Sequence, residues 1–406
     1  MSPEPTSHSR QAELVNEFDD FLRLALPAWR ARHGEKYESG GGRARFEARR
    51  HWQRMLDDEG WAAIGWPVEF GGRGTNLAET VACNELIAAY RAPMIAGILG
   101  VRNVGPAIMA FGTKEQKKHL PAIRSGEQIW VQGFSEPGAG SDLAGLQCCA
   151  KLHDATFRIS GQKTWTSSAM FADWCQLLVR TGGPGKDRRG ISCLLVPIDG
   201  QGIDVRPIRQ LTGESEFGEV FFSDAPVGSD ALLGELGQGW QVAIATLAHE
   251  RAGTLSQLAL LRQVLDEVVD HGRAAHHRGA SLDLLTRRRI AGIYEQVSVM
   301  GALGERVLGA ARDGLPGPEG SIIKLIWSQT NRDLGELRMA LLHDEGTAWC
   351  AEQDSAADAE ARFMFLRSRS STIAAGTSEV QRNIIAERVL GLPQDPRSSH
   401  HDSRRT

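Results

Sequence analysis

Between about residues 128 and 228 the chain carries six short β-rich runs: QIWVQGF, TFRISG, CQLLVRTGG, ISCLLVPIDG, GIDVRPI and GEVFFSDAPV. No helical stretch separates them, and this constrains the fold more than any other feature. Neighbouring parallel strands need a crossover, usually helical. Runs joined only by Gly, Pro and Asp turns therefore predict an antiparallel sandwich or barrel. On either side the periodicity is helical. Leu14, Phe18, Phe21, Leu22 and Ala25 fall on one helix face, and ARRHWQRMLDDEGW and LAETVACNELIAAY read alike. After GQG at 237–239 a long helical segment runs from Trp240 to about His276. The fold class is α+β: an N-terminal helical domain over 1–127, a middle antiparallel β-domain over 128–228, a C-terminal helical region over 229–393, and a polar tail over 394–406 expected to be disordered.

Several function classes drop out. With 46 Lys and Arg against 50 Asp and Glu there is no basic excess, so nucleic acid is not an expected partner. The apolar run MIAGILGV at 94–101 is far short of the roughly 20 residues that span a bilayer. MSPEPTSHSR lacks the apolar stretch of a signal peptide, and a cytoplasmic protein is expected. Six cysteines show no C-x-x-C spacing, so reduced thiols and no metal site are expected.

The stretch GFSEPGAGSD at 133–142 follows a strand-like run and packs proline, glycine, serine and acid together. It lacks the third glycine of G-x-G-x-x-G, and no crossover helix follows, which argues against a dinucleotide fingerprint. Unobstructed amides at Gly138 and Gly140, with hydroxyls at Ser135 and Ser141, instead suit close approach to a flat polar ring or an anion. A second run, GQKTWTSSA at 161–169, ends with Trp165, Thr166 and Ser167 together.

With IGWPVEFGGRG at 64–74 and STIAAGTSEVQRNIIAERVLGLP at 371–393, these strings resemble the acyl-CoA dehydrogenase family in order and spacing across nearly the whole chain. The resemblance implies that the C-terminal region is a four-helix bundle, that FAD lies at the domain junction, and that an acyl-CoA thioester stacks on its ring. Carried over residue by residue, Gln132, Phe134 and Ser135 would bond the flavin's pyrimidine edge. Gly140 belongs to the same cofactor loop, and Ser141 would reach a phosphate or the pantetheine arm of the substrate. Trp165 would cover one ring face and Ser167 would sit near N5. Thr377 and Glu379 match cofactor-binding positions near the C-terminus.

Desaturation between Cα and Cβ also needs a base for the α-proton. In much of the family this is a Glu just before the C-terminal Gly-Thr, where this chain has Ala375. Another branch carries its Glu on the first long helix of the C-terminal domain, before an Arg. Here His249-Glu250-Arg251 stands at that place, eleven residues on from Gly239. Glu250 is the expected base. Arg251 is expected to order the loop beside the thioester and join the substrate site. Helical spacing puts Glu250 on a face with Ala243, Thr246, Leu247, Gly253 and Thr254, a small, largely apolar strip that would raise a carboxylate's pKa.

Two family segments, R-x-x-F-G and Q-x-x-G-G, are absent; AAHHRGASLDLLTRRR and MALLHDEGTAWCAEQD stand there instead. In the family these complete a neighbouring subunit's FAD site. Their loss resembles the heteromeric branch, associated with bulky thioesters such as sterol side chains. A homodimer or homotetramer and a heterotetramer with a second acyl-CoA dehydrogenase-like subunit both stay open. An electron-transfer flavoprotein is the expected acceptor. A flavin monooxygenase or oxidase on the same fold, and a non-catalytic partner subunit, are the alternative functions.

Overall fold

The structure, a computed structural model, describes residues 7–34, 42–183, 185–277, 282–310, 317–342 and 356–393. The polar tail at 394–406 lies outside these residues. Two compact units form, residues 1–250 and 251–406.

The first unit begins with α1 (Ser7–His33), α2 (Arg43–Asp58), α3 (Leu77–Ala89), α4 (Gly105–Phe111) and α5 (Leu120–Ser125). The α1 stripe works as its spacing demands: Phe18, Leu22 and Ala25 are buried with Leu26 and Trp29 against Trp52, Leu56 and Trp61. Leu14 and Phe21 pack at the margin of that core. Asn76 starts α3 with a reciprocal cap, its Oδ1 accepting from Glu79 N–H while Glu79 accepts from Asn76 N–H, both at 2.9 Å.

Eight strands follow: β1 (Trp130–Gly133), β2 (Cys149–His153), β3 (Thr156–Ser167), β4 (Trp174–Arg180), β5 (Ile191–Pro197), β6 (Ile203–Ile208), β7 (Phe217–Gly228) and β8 (Leu232–Leu233). Their order is β6-β7-β3-β2-β4-β5-β8, with β1 beside β4. The expectation of a purely antiparallel domain is corrected here, because β1 runs parallel to β4 and β2 meets β4 in parallel at Cys149 and Arg180. The chain needs no helix for these crossovers. The β2–β3 hairpin itself carries it from β1 to β4, and β3 alone reverses it between β2 and β4.

Strands β4 and β5 are buried on both faces. Cys175, Leu177, Val179, Leu194 and Val196 join Ile159, Val220 and Phe222 in a core among the strands. Leu178, Ile191, Cys193 and Leu195 join Ile108, Ile123 and Trp130 in a second core beneath the helices. The helix α6 (Gly239–His277) starts against β5 so closely that a Cβ on Gly239 would lie 2.4 Å from the Ser192 backbone.

From residue 251 onward the second unit holds the rest of α6 with α7 (Leu284–Ala310), α8 (Gly320–Leu341), α9 (Ala356–Ser368) and short α10 (Ser378–Ile384). Leu261, Val264, Leu265 and Val268 of α6 pack with Ile293, Val297 and Met300 of α7 and with Leu334 and Leu337 of α8. The four long helices α6 to α9 form the expected bundle.

Candidate functional site

The glycine-rich loop leaves β1 and is held from beneath by a buried ion pair. Glu136 takes hydrogen bonds from the backbone N–H groups of Gln147 at 2.7 Å and Cys148 at 2.9 Å. Lys163 of β3, fully buried, donates to Glu136 at 2.7 Å and to the Phe134 carbonyl at 3.2 Å. The Ser135 carbonyl accepts from Thr164 N–H at 2.9 Å, and Glu136 and Ala139 exchange two backbone bonds of 3.1 Å across the Pro-Gly turn. These ties run inward. On the outer side a Cβ at Gly138 or Gly140 would meet no atom within 4 Å. The hydroxyls of Ser135, Ser141 and Ser167 bond no other described residue.

Close by in the fold, Trp165 sits where the β3–β7 register breaks between Lys163 and Thr166. Its φ of +57° lies in the left-handed region, and its side chain is 58% exposed with the ring edge on Phe217 at 6.0 Å. A bulky residue held there costs about 1–3 kcal/mol, and such strain gathers at ligand sites. The break keeps a large apolar ring facing outward instead of letting the strand alternation bury it. Sequence reading did not foresee the backbone twist.

At the other edge of the loop strand, Gln132 accepts from Asn103 Nδ2 at 3.0 Å through its Oε1, while its own Nε2 is buried without an acceptor. An unpaired buried donor costs about 1–3 kcal/mol and favours a ligand oxygen. Asn103 lies on a π-helical turn, Gly100–Val104, ahead of α4. Burial pushes the thiols of Cys148 and Cys175, behind the loop, up to about 12, so they are inert packing groups.

The side chains of residues 248–256 are outside the described residues, so Glu250 and Arg251 are known only as part of α6. The helix face leading to Glu250 is described: Ala243 and Thr246 are buried, and Thr246 Oγ1 accepts from Gln176 at 3.1 Å. In the second unit, Thr377 caps α10 by accepting from Val380 N–H at 3.2 Å. Glu379 is exposed and 3.5 Å from Arg382, its carboxyl held below the usual range by its own backbone N–H and by Thr377. Thr377, Glu379, Arg332 and Arg382 line a cleft of about 290 Å³. The preceding loop is pinned by buried Lys324, which donates to the carbonyls of Ser371 at 3.2 Å and Gly376 at 2.6 Å. Ala375 there has a φ of +54°.

Among the described residues no helix is long and apolar enough to cross a membrane, and no group of three His, Cys, Asp or Glu could hold a metal ion. A larger cleft of about 470 Å³ on the outer face of β2 and β3 is lined by Lys151, His153 and Arg158 and includes none of the loop residues.

Models of the acyl-CoA dehydrogenase N-terminal, middle and C-terminal domains match residues 10–127, 132–225 and 237–390. An acyl-CoA dehydrogenase named IpdE1 from Mycobacterium tuberculosis is 40% identical over 86% of this chain and 89% of its own length. Among solved structures, the ChsE4-ChsE5 complex from Mycobacterium tuberculosis superposes with a TM-score of 0.80 at 30% identity, over 97% of this chain and 100% of that one. The Tcur3481-Tcur3483 steroid ACAD gives a TM-score of 0.79 at 28% identity, over 97% of this chain and 99% of that one. The helical and mixed-sheet first unit and the bundle of the second, matched in this order, thus define an oxidoreductase acting on acyl-CoA thioesters. The chain belongs to the acyl-CoA dehydrogenase family.

Proposed function

We propose that the chain carries out FAD-dependent α,β-dehydrogenation of an acyl-CoA thioester. The observation that carries this reading is the pinned loop after β1, open on its outer side, beside the outward-facing Trp165. The unpaired Gln132 Nε2, the open faces of Gly138 and Gly140 and the exposed Trp165 ring fit a flat heteroaromatic ring with oxygen acceptors. Gln132, Phe134, Ser135, Gly140, Ser141, Trp165 and Ser167 would hold the flavin half. Thr377 and Glu379 are cofactor-binding residues in the same reading, and Arg332 and Arg382 beside them suit phosphate. When bound, the cofactor supplies the acceptor for the β-hydride and its two electrons. Ser141 also orients the thioester arm.

Glu250 takes the α-proton in this reading, and Arg251 positions the thioester segment beside it. Support comes from the buried face of Thr246 and Ala243, one and two turns earlier, which steers that side of α6 away from water. A three-segment division at 127 and 228 belongs to the same reading, as does a cytoplasmic location. With the R-x-x-F-G and Q-x-x-G-G segments missing and two solved relatives named as pairs of chains, we read this protein as one half of a heterotetramer reduced by its substrate and reoxidised by an electron-transfer flavoprotein.

Glu250→Gln tests the base. Flavin content and acyl-CoA binding should persist, while anaerobic bleaching by substrate slows about 10²- to 10⁴-fold. Wild-type bleaching in that variant would move the base elsewhere, and bleaching by NAD(P)H instead of acyl-CoA would favour a monooxygenase. Light scattering of the chain purified alone and co-expressed with a paired subunit separates homo- from hetero-oligomer.

A further inference from the structure

Arg102 stands inside the apolar run MIAGILGVRNVGPAIMAF at 94–111, on the π-helical turn that also carries Asn103. Its guanidinium is packed among protein atoms, while the residue keeps partial solvent access. Its one hydrogen bond goes to a neutral group, Asn84 Oδ1, at the long distance of 3.5 Å. Asn84 is itself tethered, donating to the Thr80 carbonyl at 2.8 Å. No described residue forms an ion pair with Arg102. Burial, with no carboxylate to offset it, pulls the guanidinium below its usual range, although arginine stays charged near neutral pH.

A cation surrounded by protein costs several kcal/mol unless it is paired, and Arg102 has five donors with one weak acceptor. An apolar chain such as Leu or Met would avoid that cost. Through Asn103, the same turn touches Gln132 on β1, three residues before Ser135. The arginine therefore stands on the turn that is braced against the strand presenting the loop.

We propose that Arg102 is a specificity-determining residue that selects acyl-CoA substrates whose acyl part carries an acceptor oxygen, a carboxylate or an oxo group, remote from the thioester. This rests on the acyl-CoA reading above. Asn84 holds the guanidinium from one side, leaving its remaining donors to the substrate oxygen. A hydrocarbon acyl group would strand those donors in a desolvated site, the arrangement that discriminates most strongly against an analogue lacking the oxygen.

The test uses the full chain in its co-expressed, flavin-loaded assembly. Calorimetric binding and anaerobic bleaching are compared for octanoyl-CoA, octanedioyl-CoA and 6-oxo-octanoyl-CoA. Wild type should favour at least one oxygenated ester over octanoyl-CoA by about tenfold or more. Arg102→Met should abolish or reverse that ratio, and Arg102→Lys should retain part of it. Preference for octanedioyl-CoA identifies an anion, and preference for the oxo ester a neutral carbonyl. Equal or tighter octanoyl-CoA binding by wild type overturns the proposal even if Arg102→Met fails to fold, as does an unchanged ratio in a folded Arg102→Met. Octanoyl-CoA that binds and bleaches without an oxygen preference sinks only this inference. Failure of all three esters to bind the flavin-loaded protein sinks the thioester reading as well.

Discussion

Lys163 and Arg102 are both cations surrounded by protein within residues 1–250, and the fold treats them differently. Lys163 meets a carboxylate, Glu136, which is also braced by two backbone amides, and it meets the Phe134 carbonyl. Arg102 meets one neutral amide at the edge of hydrogen-bonding distance. The first arrangement is closed: charge, donors and acceptors are matched inside the protein, so it can hold a loop still. The second is open: most of its donors have no partner among the described residues and are available to something that arrives from outside. The contrast separates a residue that shapes a site from one that reads a ligand.

The most forceful way to break this comparison is to remove the closed partner. Lys163→Met leaves Glu136 buried without its countercharge, and should lower stability by about 3–5 kcal/mol in urea unfolding while flavin content falls. The double variant Glu136→Gln/Lys163→Met should lose less than the two single losses added together, because one interaction is being counted twice. A Lys163→Met loss below about 1 kcal/mol would mean that the pair does not anchor the loop.

Lys324 is an intermediate case in the second unit, where the cation is satisfied by the carbonyls of Ser371 and Gly376. Lys324→Met should cost about 1.5–3 kcal/mol, the range for hydrogen bonds to a charged group. Arg102→Met should change the ligand-free protein by about 1 kcal/mol or less, and can even stabilise it, since a poorly paired buried charge is being replaced by an apolar chain of similar length. Unfolding midpoints of the three variants, measured without ligand, should rank Lys163→Met lowest and Arg102→Met highest. A large loss in Arg102→Met would show that the arginine is structural.

How much of this is legible in the sequence depends on what kind of signal each residue leaves. The α1 stripe, the β-rich middle and the α6 start are visible because periodicity and turn residues act locally. The loop is visible because Pro and Gly mark backbone that approaches something closely. The parallel pairs are not, since pairing depends on which strands meet after a hairpin crossover. Lys163 is hidden because its partner lies 27 residues away, and the left-handed Trp165 because a register break leaves no mark in composition. Arg102 does leave a sign, a charge inside an apolar run, but a run of that kind speaks first to membrane spanning. Glu250 and Arg251 rest on the family resemblance and on helical spacing, because their side chains are outside the described residues.

The smallest effect concerns groups that escape the problem by giving up their charge. His33 Nε2 and His51 Nδ1 lie 2.9 Å apart, and Arg32 Nη1 is 3.3 Å from His51 Nε2. His33 ends α1, where the helix dipole favours a cation, yet burial first and the Arg32 charge second hold it below the usual imidazole range. Burial, Arg32, His33 and Arg54 act the same way on His51. Because both groups bind protons less readily folded than unfolded, their contribution is fully present above about pH 6.5 and is lost as pH falls through the lowered folded values. Thermal midpoints taken from pH 7.5 to 5 should fall by about 1–2 °C from this source, and His51→Gln should remove part of that fall. An unchanged pH slope in His51→Gln would show that protonating the pair costs the fold nothing. The rule drawn from Lys163 and Arg102, that a buried charge is either matched or waiting for a ligand, would then need a third class.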